Sequence, residues 1–420
     1  MRRVPPSHED PPDGPLPERL ATVLRWPGGE DGEYDRILEA VERRVADHAR
    51  VLGRERAEAP ARLAELLGKP AERREMLVRN HPGFRTWGLL ERLLDQVRER
   101  TFQDAAAAEE LGVLALLLAS VLDAGRYGGD LLEDMRSRAW SLIGNARRVR
   151  SDLRGSEDAF EQARVHLRRG TGDLLERVQW LDLRASLLRD QRRFGEAERL
   201  LRRALKIYRD LGETHRAGAV LVKLSTLHEH AGMPDLAIPP LREALALIDG
   251  EQEPRLLLSA WHNLITNLVE AGRYMEAQGL FIEARPLYAR FSEGWVRHRR
   301  CWIEGRIARG LGQAREAETH LLSARDGFVA GGIAYDAALV SLDLAALYAE
   351  QGRASDLEAL AGEMLAVFAA LEIEREALAA FSFLRRAAAA RRATLGVVTS
   401  IARWMKRLPF EPEQVFVAPQ

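Results

Sequence analysis

The sequence predicts an all-α solenoid of antiparallel helix hairpins, and three observations carry that expectation. Glycines recur with a step of 40 residues at Gly232, Gly272, Gly312 and Gly352. Ala197, Ala237, Ala277 and Ala317 keep the same step, with Leu357 in the next slot. Between these marks the apolar residues fall at helical spacing on both sides of each glycine. A single helix pair cannot cover its own apolar faces, so successive pairs must stack.

Residues 219–248 show how one unit is built. Leu221, Leu224, Leu227 and His228 form the stripe of a first helix. Ala231-Gly232 stops it, because glycine tolerates the left-handed backbone at a helix C-terminus. Pro234 suits the first position of the next helix, where its missing N–H costs nothing. Ala237, Leu241, Ala244 and Leu245 make the second stripe. The small residues at Ala197, Ala237, Ala277 and Ala317 let the two helices of a hairpin cross closely. Pro239-Pro240 should kink the second helix of this unit or delay its start.

The units resemble the tetratricopeptide repeat family. That family places a bulky residue early in the first helix and a small residue four later. A glycine turn, an aromatic and two alanines in the second helix follow. Trp261, Ile265, Gly272, Tyr274, Ala277 and Ala284 follow the order, and so do Trp140, Ile143 and Gly144. Cys301, Gly305, Gly312, Ala317 and Ala324 follow it with a smaller first residue. The family's period is about 34, so these helices should be roughly a turn longer in total. Extra loop residues near 151–155 bring Ala159 and Ala163 into line. The Ala/Arg/Leu-rich usage looks most like bacterial stand-alone members.

The resemblance implies a right-handed superhelix whose concave wall is lined by the first helices, serving as a protein-interaction scaffold. Transferring the register puts Arg138, Ser141, Asn145 and Arg148 on that wall, then Gln179, Asp182, Ser186, Arg189 and Asp190. Glu229 and His230 follow, then His262, Thr266 and Glu270, then Arg299, Trp302, Arg306 and Arg309. Arginine forks suit carboxylates and a tryptophan supplies an apolar anchor. The binding groove is therefore assigned to Arg138, Asn145, Arg148, Arg189, His262, Arg299, Trp302, Arg306 and Arg309. Its expected partner is a peptide or protein segment, acidic or C-terminal in character. The alternative is a peptide-responsive or partner-sequestering regulator of transcription, acting on a sigma-factor or DNA-binding partner, with residues 34–80 as output region.

In chain order, residues 1–33 hold seven of the 18 prolines and read as a disordered tail, with a short helix conceivable over 17–25 and Trp26 alone beyond it. Residues 34–83 read as a helical N-terminal capping region. Ile37, Leu38, Val41, Val45 and His48 share one face, and two short helices at 60–68 and 71–79 are split by Gly68-Lys69-Pro70. Residues 84–373 read as about seven hairpins, 374–408 as C-terminal capping helices, and 409–420 as a flexible tail.

Composition narrows the function. Charged residues are 30% and the net charge is −1, so no global field favours nucleic acid or an anionic membrane. The arginines at 147, 148, 150 and 154, and at 297, 299 and 300, are interrupted by acids rather than interleaved with stacking aromatics. No apolar run reaches a membrane span. The single Cys301 reads as a buried structural thiol in a reducing, cytoplasmic setting. Gly310-Leu311-Gly312 is a helix turn without the strand a dinucleotide site needs. His228 and His230 lie two apart and face different ways on a helix, so they do not form a metal site. No enzyme, cofactor or metal is expected.

Overall fold

The repeat step appears in the backbone as a recurring left-handed position. Gly232, Gly272, Gly312 and Gly352 have φ of 74°, 74°, 76° and 68°. The computed structural model describes residues 31–291, 293–370, 375–408 and 415–418. The tail expected for 1–33 lies outside the described residues except for its last three, as do the 17–25 helix and Trp26. Among the described residues there are nineteen α-helices, one 3-10 turn and no strand. The chain divides into two units, residues 1–92 and 93–420.

In the first unit, α1 (Asp31–Leu67) and α2 (Ala71–Asn80) are followed by a 3-10 turn (Pro82–Phe84) and the start of α3 (Trp87–Arg100). The expected short helix at 60–68 is instead the end of one continuous 37-residue helix that contains Pro60. Pro60 is exposed while Ala59, Leu63 and Leu66 are buried, so burial of this face outweighs the one hydrogen bond a proline removes. Buried Glu55 accepts the Trp87 backbone N–H through Oε2 at 2.8 Å. A Cβ on Gly88 would sit 2.4 Å from the Glu55 carbonyl oxygen, so only glycine allows this approach. Toward its N-terminus, α1 leaves Ile37, Val41 and Val45 exposed on one face.

The second unit continues through α4 (Ala105–Val121) and a single turn, α5 (Ala124–Tyr127), into six successive hairpins. The first pairs α6 (Gly129–Val149) with α7 (Leu153–Leu167), and the second pairs α8 (Leu174–Asp190) with α9 (Phe194–Asp210). Next come α10 (Thr214–His230) with α11 (Pro234–Leu247), and α12 (Pro254–Glu270) with α13 (Tyr274–Ala289). The last two are α14 (Gly294–Gly310) with α15 (Ala314–Ala330), and α16 (Ala334–Glu350) with α17 (Ala354–Ala370). Ala197, Ala237, Ala277 and Ala317 are all fully buried at the crossings. Pro239 and Pro240 do not delay α11, which starts at Pro234, although it spans 14 residues against 17 for α10.

Among the described residues, three turns reach the left-handed region without glycine. Arg192, one step before Gly232, has φ 59°, Ser151 after α6 has φ 65°, and Arg391 has φ 52°. Apolar burial then runs from Val178 to Ile307, and a second cluster joins α15, α16 and α17 to the end of the chain. That end is formed by α18 (Arg375–Ala389) and α19 (Leu395–Arg407). Here the hairpin rule lapses. Rather than closing along α18, α19 packs mainly on α16, where the Tyr335 O–H donates to the Met405 carbonyl at 2.9 Å. Within the expected C-terminal tail, Phe416 lies against Trp404 with ring centroids 5.1 Å apart; residues 409–414, 419 and 420 lie outside the described residues.

Candidate binding wall

The first helices of neighbouring hairpins face one another, and polar side chains bridge them in steps close to the repeat length. On α6, Arg138 pairs with Glu176 of α8. One helical face further, Arg148 donates twice to Asn145 Oδ1, at 3.1 and 3.0 Å, and to Asp190 Oδ2 on α8 at 2.6 Å. Asn145 is buried and Arg148 nearly so. Arg189 holds the other oxygen of Asp190 at 2.8 Å. Lys223 of α10 bonds Asp182 at 2.5 Å. Burial, reinforced by the Arg189 guanidinium, pushes the His230 imidazole down to about 4.

A second network spans α12, α14 and α16. Arg306 donates to Glu270 Oε1 at 2.8 Å and lies 3.5 Å from Asp343 Oδ2. Arg309 grips both oxygens of Glu350, at 3.1 and 2.7 Å, and approaches Asp343 Oδ1 at 3.7 Å. Arg299 reaches Asp336 at 3.3 Å. Trp302, expected to serve as an apolar anchor for a partner, is half-buried within the chain. Its ring meets Phe328 edge-on at 6.1 Å and its indole N–H donates to Asp343 at 2.7 Å. His262 shares a 2.8 Å hydrogen bond with Tyr288, and burial pushes its imidazole down to about 4, helped by Arg299 and Arg306.

Glu270 also receives Lys406 of α19, whose ammonium is 2.7 Å from the same Oε1. Burial alone would raise the Glu270 carboxyl, but Arg306 and Lys406 outweigh it and hold the group down at about 2. Its neighbour Glu229 is pushed the other way, by burial and by the charge of Glu270. The structure therefore joins Arg138, Asn145, Arg148 and Arg189 in one set, and His262, Arg299, Trp302, Arg306 and Arg309 in another. The cations of both sets already face carboxylates of the chain.

The sequence reading missed Asp336, Asp343, Glu350 and Lys406. The Glu350 signal was present: Asp190, His230 and Glu270 step by 40 residues, with Gly310 and Glu350 in the next two slots. Lys406 has no such signature. Away from the wall, Cys301 is half-buried rather than buried. Its sulfur, a Glu304 oxygen and a His320 nitrogen lie within 4.8 Å of one another, the one such trio among the described residues. The Arg300 guanidinium also stands 3.8 Å from Glu304 Oε2.

Residues 176–249 match the family model described as tetratricopeptide repeat. Among solved structures, the fold is similar to that of a Rap protein complexed with competence and sporulation factor. The TM-score is 0.56 at 14% identity, over 77% of this chain and 88% of that one. It is also similar to the apo form of RapI, with a TM-score of 0.56 at 12% identity, over 77% and 87% of the two chains. A search of the curated proteins found no match. Among the described residues, no helix is long and apolar enough to cross a membrane.

Proposed function

We propose, from the premise that this chain is a tetratricopeptide-like helical repeat protein, that it is a non-enzymatic adaptor holding a segment of a protein partner against the wall of its first helices. One observation carries the reading. The wall already receives a segment remote in sequence, α19, through a side-chain contact between Lys406 and Glu270. A surface that seats one helix of its own chain has the shape and the polar partners to seat another. The partner is a peptide or protein segment and the setting is cytoplasmic, in keeping with a single cysteine. An acidic partner, which unpaired arginines would favour, loses its support because Arg299, Arg306 and Arg309 each face an internal carboxylate.

Site-specific photo-crosslinking tests this. A photoreactive residue replaces Thr266, between His262 and Glu270 on α12, or exposed Arg203 on the outer helix α9. In a cell lysate, a partner crosslinked from position 266 and not from 203 is expected. Crosslinking from 203 alone, or equally from both, would place the interaction elsewhere.

The regulatory alternative draws on a separate observation. Within residues 34–80, Ile37, Val41 and Val45 present an exposed apolar stripe on α1, the kind of surface an output partner covers. Under that reading, Val41→Glu abolishes the output while leaving the 266 crosslink intact.

A further inference from the structure

The last helix breaks the repeat rule, and where it goes carries chemical information. Val398, Ile401 and Met405 are buried along one stripe of α19, continued by Leu408 just past its end, while Arg403, Lys406 and Arg407 remain exposed. A repeat continuing in register would lay that stripe along α18. It lies on α16 instead, so that Met405 meets Tyr335 and Lys406 reaches α12, 136 residues earlier in the chain.

The charges at the contact match the cation that α19 brings. Glu270, Asp343 and Glu350 supply three carboxylates there, while Arg306 and Arg309 supply two guanidiniums. Lys406 is the cation that evens them. Without it, Arg306 alone serves Glu270, and Glu229 stands beside the pair as a further carboxyl. The wall at this end is one positive charge short, and the helix seated there brings it.

We infer that this end of the wall is a docking site for a cationic amphipathic helix of a partner protein, and that α19 is its resident occupant. The partner helix carries a lysine or arginine opposite Glu270 and an apolar stripe on the adjoining face, and it displaces α19 on binding. The inference rests on the groove reading above. It adds the polarity of the ligand and a threshold for its entry, because a tethered helix competes at an effective concentration of roughly millimolar order.

The test uses the full chain and a labelled synthetic peptide of its residues 393–409, followed by fluorescence anisotropy. The double variant Met405→Asp/Lys406→Glu frees the site. It should bind the peptide at least about tenfold more tightly than the unaltered chain, where the tethered copy competes. Adding Glu270→Lys should abolish that binding and restore it for a peptide bearing K406E. Equal binding by both chains, no binding by the freed chain, or indifference to Glu270→Lys would overturn the inference.

If the double variant loses its helical circular dichroism, Glu270→Lys alone takes its place. Amide exchange across Leu395–Arg407 should then quicken by about tenfold, and unchanged exchange would overturn the inference. Failure of the groove reading looks different. There the peptide binds the freed chain as described, yet the lysate partner crosslinks only from position 203. A partner crosslinked from 266, together with no peptide binding, sinks the inference and spares the groove.

Discussion

Gly305 and Gly279 offer one chemical change with two opposite expected signs. Both lie within helices of the array, and each is replaced by alanine. At Gly279 on α13, an added Cβ meets no atom within 4 Å, and the residue is exposed. Only backbone entropy changes, and Gly279→Ala should stabilise the chain by about 0.5–1 kcal/mol. Gly305 on α14 is buried against α15. There a Cβ would stand 2.7 Å from Leu321 Cγ, 2.9 Å from Cδ2 and 3.1 Å from the Leu321 backbone nitrogen. Rotating the leucine relieves the first two contacts but not the third, so the helices must part. Overpacking of this kind costs about 1–3 kcal/mol, while the same gain in helix propensity returns about 0.5–1 kcal/mol. The two ranges leave a net loss of about 0–2.5 kcal/mol, centred near about 1 kcal/mol. Urea unfolding of the full chain, followed by far-UV circular dichroism, reads both as shifts of midpoint at constant slope. A Gly305→Ala midpoint above that of the unaltered chain would refute the close crossing of α14 and α15. A lowered midpoint for Gly279→Ala would mean that its face of α13 is covered.

Three further outcomes follow from single features. Arg148→Ala leaves the Oδ1 of buried Asn145 without its donor and removes one of the two guanidiniums on Asp190, and should lower stability by about 1–3 kcal/mol in the same urea experiment. Ser151→Gly removes the strain of a left-handed non-glycine residue and should raise stability by about 1 kcal/mol, read by the same midpoint. His230 and His262 are held at about 4 when folded, against 6.5 when free, so the unfolded chain takes up their protons first as pH falls. Their contribution to stability is complete above pH 6.5 and is lost between 6.5 and about 4. His262→Gln should flatten the fall in urea midpoint across that window, and an unaltered slope would show that this imidazole does not titrate there.

What the sequence determined by itself is the repeat. The step of 40 residues, the glycine turns and the buried alanines at the crossings are written in local spacing. A helix stripe and a left-handed turn depend on neighbours only a few residues away. The wall was legible to the extent that it follows this register, which placed Arg138, Asn145, Arg148, Arg189, His262 and Arg306 on the first helices. Their partners were harder to see. Asp343 pairs with residues 34, 37 and 41 positions before it, on another helix, and only side-chain reach decides which carboxylate meets which guanidinium. The continuity of α1 through Pro60 turned on whether a buried face lay beside it, which no window of sequence reveals. The path of α19 was decided by tertiary structure alone. Its apolar stripe is legible in the sequence, but which helix surface takes it is not, because no local spacing encodes that choice. In the folded chain it lies on α16, with Met405 against Tyr335 and Lys406 within reach of Glu270.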